Sequence, residues 1–130
     1  MPLASILVVD PDASARELIA NELRELGHDV SESEDAGSAL RAARRSNPDL
    51  MVCDFRLPDL AGVELLRDLR RSEDLRRIRV LMTSAGNGGD DIFEALSSGA
   101  DDFVGKPIAV PELLARGNAC LRRPATIADA

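Results

Sequence analysis

Residues 5–27 read SILVVDPDASARELIANELRELG, and they contain the unit from which the rest of the chain is built. Four consecutive apolar residues run up to Asp10, which is typical of a buried strand. Apolar residues then recur at spacings of three and four up to Gly27, and Asp12 or Ser14 is available as the N-cap. The stretch therefore predicts one strand followed by one amphipathic helix.

The same alternation repeats along the chain. Further strands are predicted at 28–33, 49–54, 78–83 and 102–105, and further helices at 36–45, around Val63 to Leu69, around Ile92 to Leu96 and at 110–121, with a flexible turn from Gly86 to Gly89. Strict alternation of strands and helices is typical of βαβ units. We therefore expect an α/β fold with a doubly wound, five-stranded parallel sheet, the flavodoxin-like (βα)5 arrangement.

Size and charge limit the class of protein. The chain has 130 residues, which predicts one domain at 1–122, followed by a polar tail or truncated linker at 123–130. Sixteen basic residues against 23 acidic ones give a net charge of −7, which disfavours nucleic-acid binding by this domain. The two cysteines lack metal-binding spacing, and no export signal or membrane-spanning stretch is visible, so we expect a cytoplasmic protein without a membrane partner.

Polar side chains follow the predicted strands. Asp10 ends the first strand, Asp54 the third and Thr83 the fourth, while the fifth runs into Lys106, the only lysine in the sequence. In open α/β sheets, ligands bind outside the carboxyl ends of the strands. Carboxylates hold Mg²⁺, an aspartate acts as a nucleophile and a lysine neutralises phosphate, so this edge predicts a site for a divalent cation and a phosphoryl group.

At these residues the chain resembles the receiver domain of two-component response regulators, over positions 4 to 121. Four motifs carry the resemblance: 6–10, ILVVD; 54–62, DFRLPDLAG; 80–85, VLMTSA; and 99–107, GADDFVGKP. The resemblance implies a signalling module rather than an enzyme. Its partners would be a histidine kinase or phosphotransfer protein, and an output domain or downstream protein. The fourth helix, fifth strand and fifth helix, residues 90–121, would form the output surface and a candidate homodimer face.

The resemblance also implies residue roles. Asp54 would be the phosphoacceptor, Thr83 the switch hydroxyl and Lys106 a ligand of another phosphoryl oxygen, with a cis Lys106–Pro107 bond. Phe103 would be the aromatic switch, unless it is simply a core residue. Asp10, Asp54 and the main-chain carbonyl of Arg56 would bind Mg²⁺. The side chains at Arg56 and Ala85 occupy the positions that tune the lifetime of the phosphoryl group.

Pro11 departs from this pattern, because receivers normally carry a second, metal-binding acid there. Proline supplies no carboxylate, so we expect a weakened Mg²⁺ site and weaker phosphorylation. Asp12 is a candidate substitute ligand, although helix capping is its more natural role. One alternative is therefore an atypical receiver that acts as a phosphorylation-independent interaction module.

Two further classes of protein share some of these features. A phosphohydrolase of the haloacid dehalogenase type would use the Asp10-Pro11-Asp12 motif, but its later metal-binding acids should follow Lys106, and it leaves residues 54–62 unexplained. A flavodoxin-type FMN carrier needs a Ser/Thr/Gly phosphate loop after the first strand, which residues 11–14 do not provide. The receiver interpretation accounts for more of the sequence than either.

Overall fold

Five strands form one parallel sheet in a computed structural model, which describes residues 3–86 and 89–123. The strands are β1 (Ser5–Val9), β2 (Asp29–Ser33), β3 (Leu50–Asp54), β4 (Arg79–Ser84) and β5 (Asp102–Gly105). The helices are α1 (Ala13–Glu25), α2 (Ala36–Ser46), α3 (Gly62–Arg71), α4 (Gly89–Ser97) and α5 (Val110–Arg122). The strand order is β2-β1-β3-β4-β5, so the predicted doubly wound α/β fold is confirmed.

The sheet is covered on both faces. Alternate residues of the central strands point to opposite faces, which is why these strands are apolar throughout. On one face Leu7, Met51 and Met82 pack with buried residues of α2, α3 and α4. On the other face Ile6 and Val52 pack with α1 and α5. This double covering leaves the ends of the strands as the open edge of the sheet.

The element boundaries differ from the predicted ones by one or a few residues. β1 ends at Val9 rather than Asp10, and β4 continues one residue past Thr83. In the predicted turn from Gly86 to Gly89, positions 87 and 88 lie outside the described residues, and Gly89 already belongs to α4. Of the predicted tail at 123–130, only Arg123 lies within them.

The start of α1 settles the conformation of the segment after β1. Asp12 is the N-cap, and its carboxylate accepts hydrogen bonds from the backbone N–H groups of Ser14 at 2.9 Å and Ala15 at 3.4 Å. A capped N-terminus satisfies donors that would otherwise lack partners. The Asp12 side chain therefore serves the helix.

None of the helices within residues 3–86 and 89–123 has the length and apolar character needed to cross a bilayer.

Candidate functional site

Three predicted site residues meet at the carboxyl edge of the sheet. The ammonium group of Lys106 lies 2.8 Å from Oδ2 of Asp10 and 3.1 Å from Oδ2 of Asp54. Asp10 directly follows β1, Asp54 is the last residue of β3, and Lys106 directly follows β5. One amine thus bridges two carboxylates that belong to different strands.

The cluster is sheltered from solvent. Asp10 is 1% exposed and Asp54 8% exposed, so two neighbouring carboxylates would be costly without a compensating charge. Lys106 supplies that charge. Burial alone lowers the pKa of Lys106, but its hydrogen bonds to Asp10 and Asp54 outweigh this effect and raise the pKa above its ordinary value. The amine is therefore fully protonated at neutral pH.

Backbone groups fix the remaining oxygens of both carboxylates. Oδ1 of Asp10 accepts a hydrogen bond from the N–H of Asp12 at 2.8 Å, and Oδ1 of Asp54 accepts one from the N–H of Arg56 at 3.3 Å. The guanidinium of Arg16 donates to the main-chain carbonyl of Asp10 at 2.9 Å. These contacts hold the two acidic side chains in a preorganised arrangement, which is how a site for a charged ligand gains strength.

Thr83 belongs to the same edge. It is the register partner of Asp54 in the pairing of β3 with β4, and it is almost completely buried. A hydroxyl donor therefore lies on the strand beside the Asp54 carboxylate.

β5 carries Phe103 and is followed by the Lys106–Pro107 peptide bond. Phe103 pairs with Met82 and is half-buried against the core that faces α2, α3 and α4. The Lys106–Pro107 peptide bond is cis, as the family resemblance implied.

The loop after β3 is anchored at two points. Gly62 lies so close to the main-chain carbonyl of Asp54 and to Met82 that a Cβ atom there would overlap both. Asp59 accepts hydrogen bonds from the N–H groups of Ala36 and Gly37, both at 2.9 Å, at the start of α2. These bonds lower the pKa of Asp59. This second anchor was not predicted, because nothing in the local sequence links Asp59 to α2.

The side chain of Arg56 lies outside the carboxylate cluster. It is 74% exposed, and its Nη2 atom is 4.0 Å from Oδ2 of Asp91 in α4. Ala85 is exposed, and the hydroxyl of the preceding Ser84 donates to the same Asp91 oxygen at 3.0 Å. Ser84 and Asp91 were not predicted as part of the site.

The donor set suits a magnesium ion in type but is small. Within residues 3–86 and 89–123 there is no group of three His, Cys, Asp or Glu side chains arranged to hold a metal. Pro11 supplies no carboxylate, and the carboxylate of Asp12 caps α1. The remaining predicted ligands are the carboxylates of Asp10 and Asp54 and the main-chain carbonyl of Arg56. Mg²⁺ is commonly held by one or two carboxylates together with phosphate oxygens and water, so these residues fit the ion.

Together these groups provide what a phosphoryl group requires. A carboxylate oxygen is a nucleophile, an ammonium group neutralises phosphoryl oxygens, and a hydroxyl donates a hydrogen bond to one of them. The structure holds a carboxylate and the ammonium group in contact, and the hydroxyl on the adjacent strand.

Comparison with known proteins agrees with this geometry. The family model described as "Response regulator receiver domain" matches residues 6–118. Among curated proteins, the chain is 39% identical over 119 residues to the phosphate regulon transcriptional regulatory protein PhoB of Pseudomonas aeruginosa, covering 92% of this chain and 52% of that protein. It is 38% identical over 124 residues to the virulence transcriptional regulatory protein PhoP of Salmonella typhimurium, covering 95% and 54% respectively. The chain thus spans about half the length of these relatives.

Solved structures show the same fold. A putative response regulator from Chloroflexus aurantiacus superposes with a TM-score of 0.89 at 27% identity, covering 94% of this chain and all of that one. The receiver domain of the Francisella response regulator 1452 gives 0.85 at 32% identity, covering 92% and 98%. The match of sequence, strand order and strand-end chemistry leads to one conclusion: the chain belongs to the receiver domain family of two-component response regulators.

Proposed function

We propose that this chain accepts a phosphoryl group on Asp54 from a phosphohistidine of a partner histidine kinase or phosphotransfer protein. The observation that carries the proposal is the Lys106 ammonium, which lies within hydrogen-bond distance of both Asp10 and Asp54. Response regulator receiver domains are signalling modules, and accepting a phosphoryl group is general to the family. The assignment of the role to Asp54 rests on its place in the cluster and on the matching motif at 54–62.

The transfer is a displacement at phosphorus. An oxygen of the Asp54 carboxylate forms the new P–O bond, and the P–N bond of the phosphohistidine breaks, leaving its electron pair on the imidazole nitrogen. Lys106 neutralises a phosphoryl oxygen, and the hydroxyl of Thr83 donates to another. Asp10, Asp54 and the Arg56 carbonyl would hold Mg²⁺, which balances charge on the phosphoryl group when bound. With Pro11 in place of an acid, we propose that this metal site is weak.

The output surface is proposed to be the face of α4, β5 and α5. Within this face, α4 carries three large exposed apolar side chains, namely Ile92, Phe93 and Leu96. Response regulators act through output domains, and the curated relatives are about twice as long as this chain. We propose an output domain or a downstream protein as the partner of this face, with a homodimer through the same elements as a further use, in a cytoplasmic setting.

One experiment tests the phosphoacceptor role. The protein is incubated with acetyl phosphate and Mg²⁺, and its intact mass is measured. We expect the mass of one phosphoryl group to be gained, lost in Asp54→Asn and retained in Asp68→Asn, a control at an exposed acid of α3. A gain that persists in Asp54→Asn overturns the assignment, and steady release of phosphate that depends on Asp10 indicates a phosphohydrolase instead.

A second candidate function follows from Pro11. If the metal site is too weak for transfer, the domain serves as an interaction module that recognises partners without phosphorylation. Lys106 offsets one of the two carboxylate charges in the unmodified chain, so the site is already ordered before any phosphorylation. Absence of any mass gain, at Mg²⁺ concentrations that saturate the Pro11→Asp variant, supports this module over the phosphoacceptor.

A further inference from the structure

One carboxylate oxygen of Asp91 contacts both Ser84, at the end of β4, and Arg56, shortly after the end of β3. Oδ2 of Asp91, in the first turn of α4, accepts the hydrogen bond from the Ser84 hydroxyl at 3.0 Å. The same oxygen is 4.0 Å from the guanidinium of Arg56. Ser84 directly follows Thr83, and Arg56 lies two residues after Asp54. Asp91 therefore connects α4 to the end of β4, next to the switch hydroxyl, and to the segment that follows the phosphoacceptor at the end of β3.

The backbone after β4 is shaped for this contact. The N–H of Gly86 donates to the Ser84 hydroxyl oxygen at 2.9 Å, which orients that hydroxyl toward Asp91. A Cβ atom at Gly86 would overlap the Asp91 carboxylate, so any other residue there would force that carboxylate to shift. The Ser84 side chain is fully buried, whereas the Asp91 side chain is 19% exposed. The hydrogen bond between Ser84 and Asp91 is therefore better shielded from solvent than the contact between Arg56 and Asp91.

Arg56 is the most exposed member of the set. Its backbone N–H is fixed to Oδ1 of Asp54 at 3.3 Å, but its side chain is largely exposed, and exposed ion pairs are individually weak. A phosphoryl group with a charge of about −1.5 to −2 would replace the carboxylate charge of −1, so the negative charge beside this backbone would increase by about 0.5 to 1. Lys106 is already shared between two carboxylates, so it does not balance that charge alone.

We infer that Arg56 exchanges partners when Asp54 is phosphorylated: its guanidinium leaves Asp91 and pairs with the phosphoryl oxygens. Asp91 then keeps only its hydrogen bond with the Ser84 hydroxyl. The first turn of α4 thereby loses the contact that joins Asp91 to Arg56. The inference rests on the proposed phosphoacceptor function. Because Asp91 and the phosphoryl group compete for the same guanidinium, a change that weakens the attraction between Asp91 and Arg56 should strengthen phosphoryl binding, at most by the factor by which the ion pair forms.

The test is a double-mutant cycle with beryllofluoride, an analogue of the phosphoryl group, titrated at saturating Mg²⁺. Asp91→Asn removes the competing charge, so we expect the affinity to rise about two- to fivefold, the range of an exposed ion pair. Arg56→Gln is expected to lower the affinity. In the Arg56→Gln background, Asp91→Asn is expected to have no further effect. Asp90→Asn is the matched control, because it makes the same charge change one residue earlier.

Hydrogen exchange gives a second readout. Beryllofluoride is expected to lower amide protection in residues 89–97 of the unmodified chain but not of Arg56→Gln. This measurement does not depend on Asp91→Asn, so it remains decisive if that variant fails to fold.

Several outcomes overturn the inference. An equal effect of Asp91→Asn in both backgrounds shows a structural role without Arg56, and an equal effect of Asp90→Asn shows a general charge effect. Unchanged affinity in Arg56→Gln excludes a contact with the phosphoryl group. Failure of the unmodified chain to gain phosphoryl mass or to bind beryllofluoride instead contradicts the proposed function, and the inference falls with it.

Discussion

Asp54 and Thr83 lie directly opposite each other in the parallel pairing of β3 with β4. Their Cα atoms are therefore separated by about one strand spacing, roughly 4.8 Å. The N–H of Phe55 donates to the Thr83 carbonyl at 2.7 Å, which continues the pairing past the end of β3. A group attached to the Asp54 carboxylate thus emerges beside the Thr83 hydroxyl, and the rigid sheet fixes the separation of the two side chains.

Replacing Thr83 by valine keeps the shape of the side chain and removes its hydroxyl. A hydrogen bond to a charged group contributes about 1.5–3 kcal/mol, so beryllofluoride affinity is expected to fall about 10- to 100-fold. Calorimetric titration measures the affinity. Thr83→Ser is the control and is expected to bind nearly normally, while the urea midpoint of Thr83→Val stays at or above that of the unmodified chain. Normal binding by Thr83→Val would contradict a role for the hydroxyl.

Replacing Lys106 by methionine is expected to change two affinities in opposite directions. The ammonium group contacts Oδ2 of both Asp10 and Asp54, so it competes with a cation for these oxygens. Its removal raises Mg²⁺ affinity, while beryllofluoride affinity falls about tenfold or more because a charge-assisted contact is lost. Titrations of the two ligands separate the effects. A decrease in Mg²⁺ affinity would show that Lys106 orders the carboxylates rather than competing for them.

Restoring a carboxylate at position 11 tests the weak metal site. Pro11→Asp is expected to increase Mg²⁺ affinity about tenfold, which corresponds to about 1.4 kcal/mol. Pro11→Ala is the control for the backbone restriction of proline and is expected to leave the affinity unchanged. Asp12→Ser keeps a capping oxygen on α1 but removes the charge. If that variant lost Mg²⁺ affinity as strongly as Asp10→Asn, Asp12 would be a ligand after all.

Gly62 is expected to tolerate no side chain. Because a Cβ atom there would overlap the main-chain carbonyl of Asp54, Gly62→Ala should lower the free energy of unfolding by about 1–3 kcal/mol. Gly89→Ala is the matched control, since a Cβ atom there has open space and alanine favours a helix by up to about 1 kcal/mol. Urea denaturation measures both. Equal stability of the two variants would contradict the close packing against Asp54.

The anchor between Asp59 and α2 is expected to depend on pH. The folded chain lowers the pKa of Asp59 below its ordinary value of 3.8, so the carboxylate stabilises the fold above that pH. This contribution is lost as the pH falls through the lowered pKa. Asp59→Asn is therefore expected to be less stable than the unmodified chain at pH 7.

The difference in free energy of unfolding between the unmodified chain and Asp59→Asn should shrink below pH 3.8, where the Asp59 carboxylate of the folded chain also becomes protonated. Chemical denaturation across this range measures it. Asp68→Asn, which changes an exposed acid without backbone contacts of this kind, is the control. A stability difference that stays constant down to pH 2 would exclude the charge of Asp59 as the cause.

The strands and the centre of the site follow from short patterns in the sequence. Strands buried on both faces must be apolar throughout, so runs such as residues 6–9 and 50–53 are visible without a structure. Parallel strands bring their carboxyl ends to one edge, which is why Asp10, Asp54 and Lys106 were predicted to meet although 96 positions separate the first and last.

Side-chain contacts between distant segments were not predictable in the same way. Arg70 donates to the carbonyl oxygens of Gly99 and Ile78 and to the Asp101 carboxylate, joining α3 to the segment before β5. The contact of Ser84 with Asp91 is of the same kind. Each depends on how two loops pack, and neither leaves a periodic signal. For Asp12, the sequence allowed two roles, and the backbone geometry at the start of α1 selected the cap.

The amine that bridges the two carboxylates is also the only ε-amino group of the chain, because every other basic side chain apart from the single histidine is an arginine. A lysine-selective acylating reagent therefore has one internal target, and that target lies at the centre of the proposed phosphoryl site. Acylation requires the neutral amine, whose fraction is reduced by the raised pKa of Lys106, so labelling is slow at neutral pH and a ligand that contacts the amine is expected to slow it further. The native sequence thus carries its own single-position chemical probe, with no engineered label required.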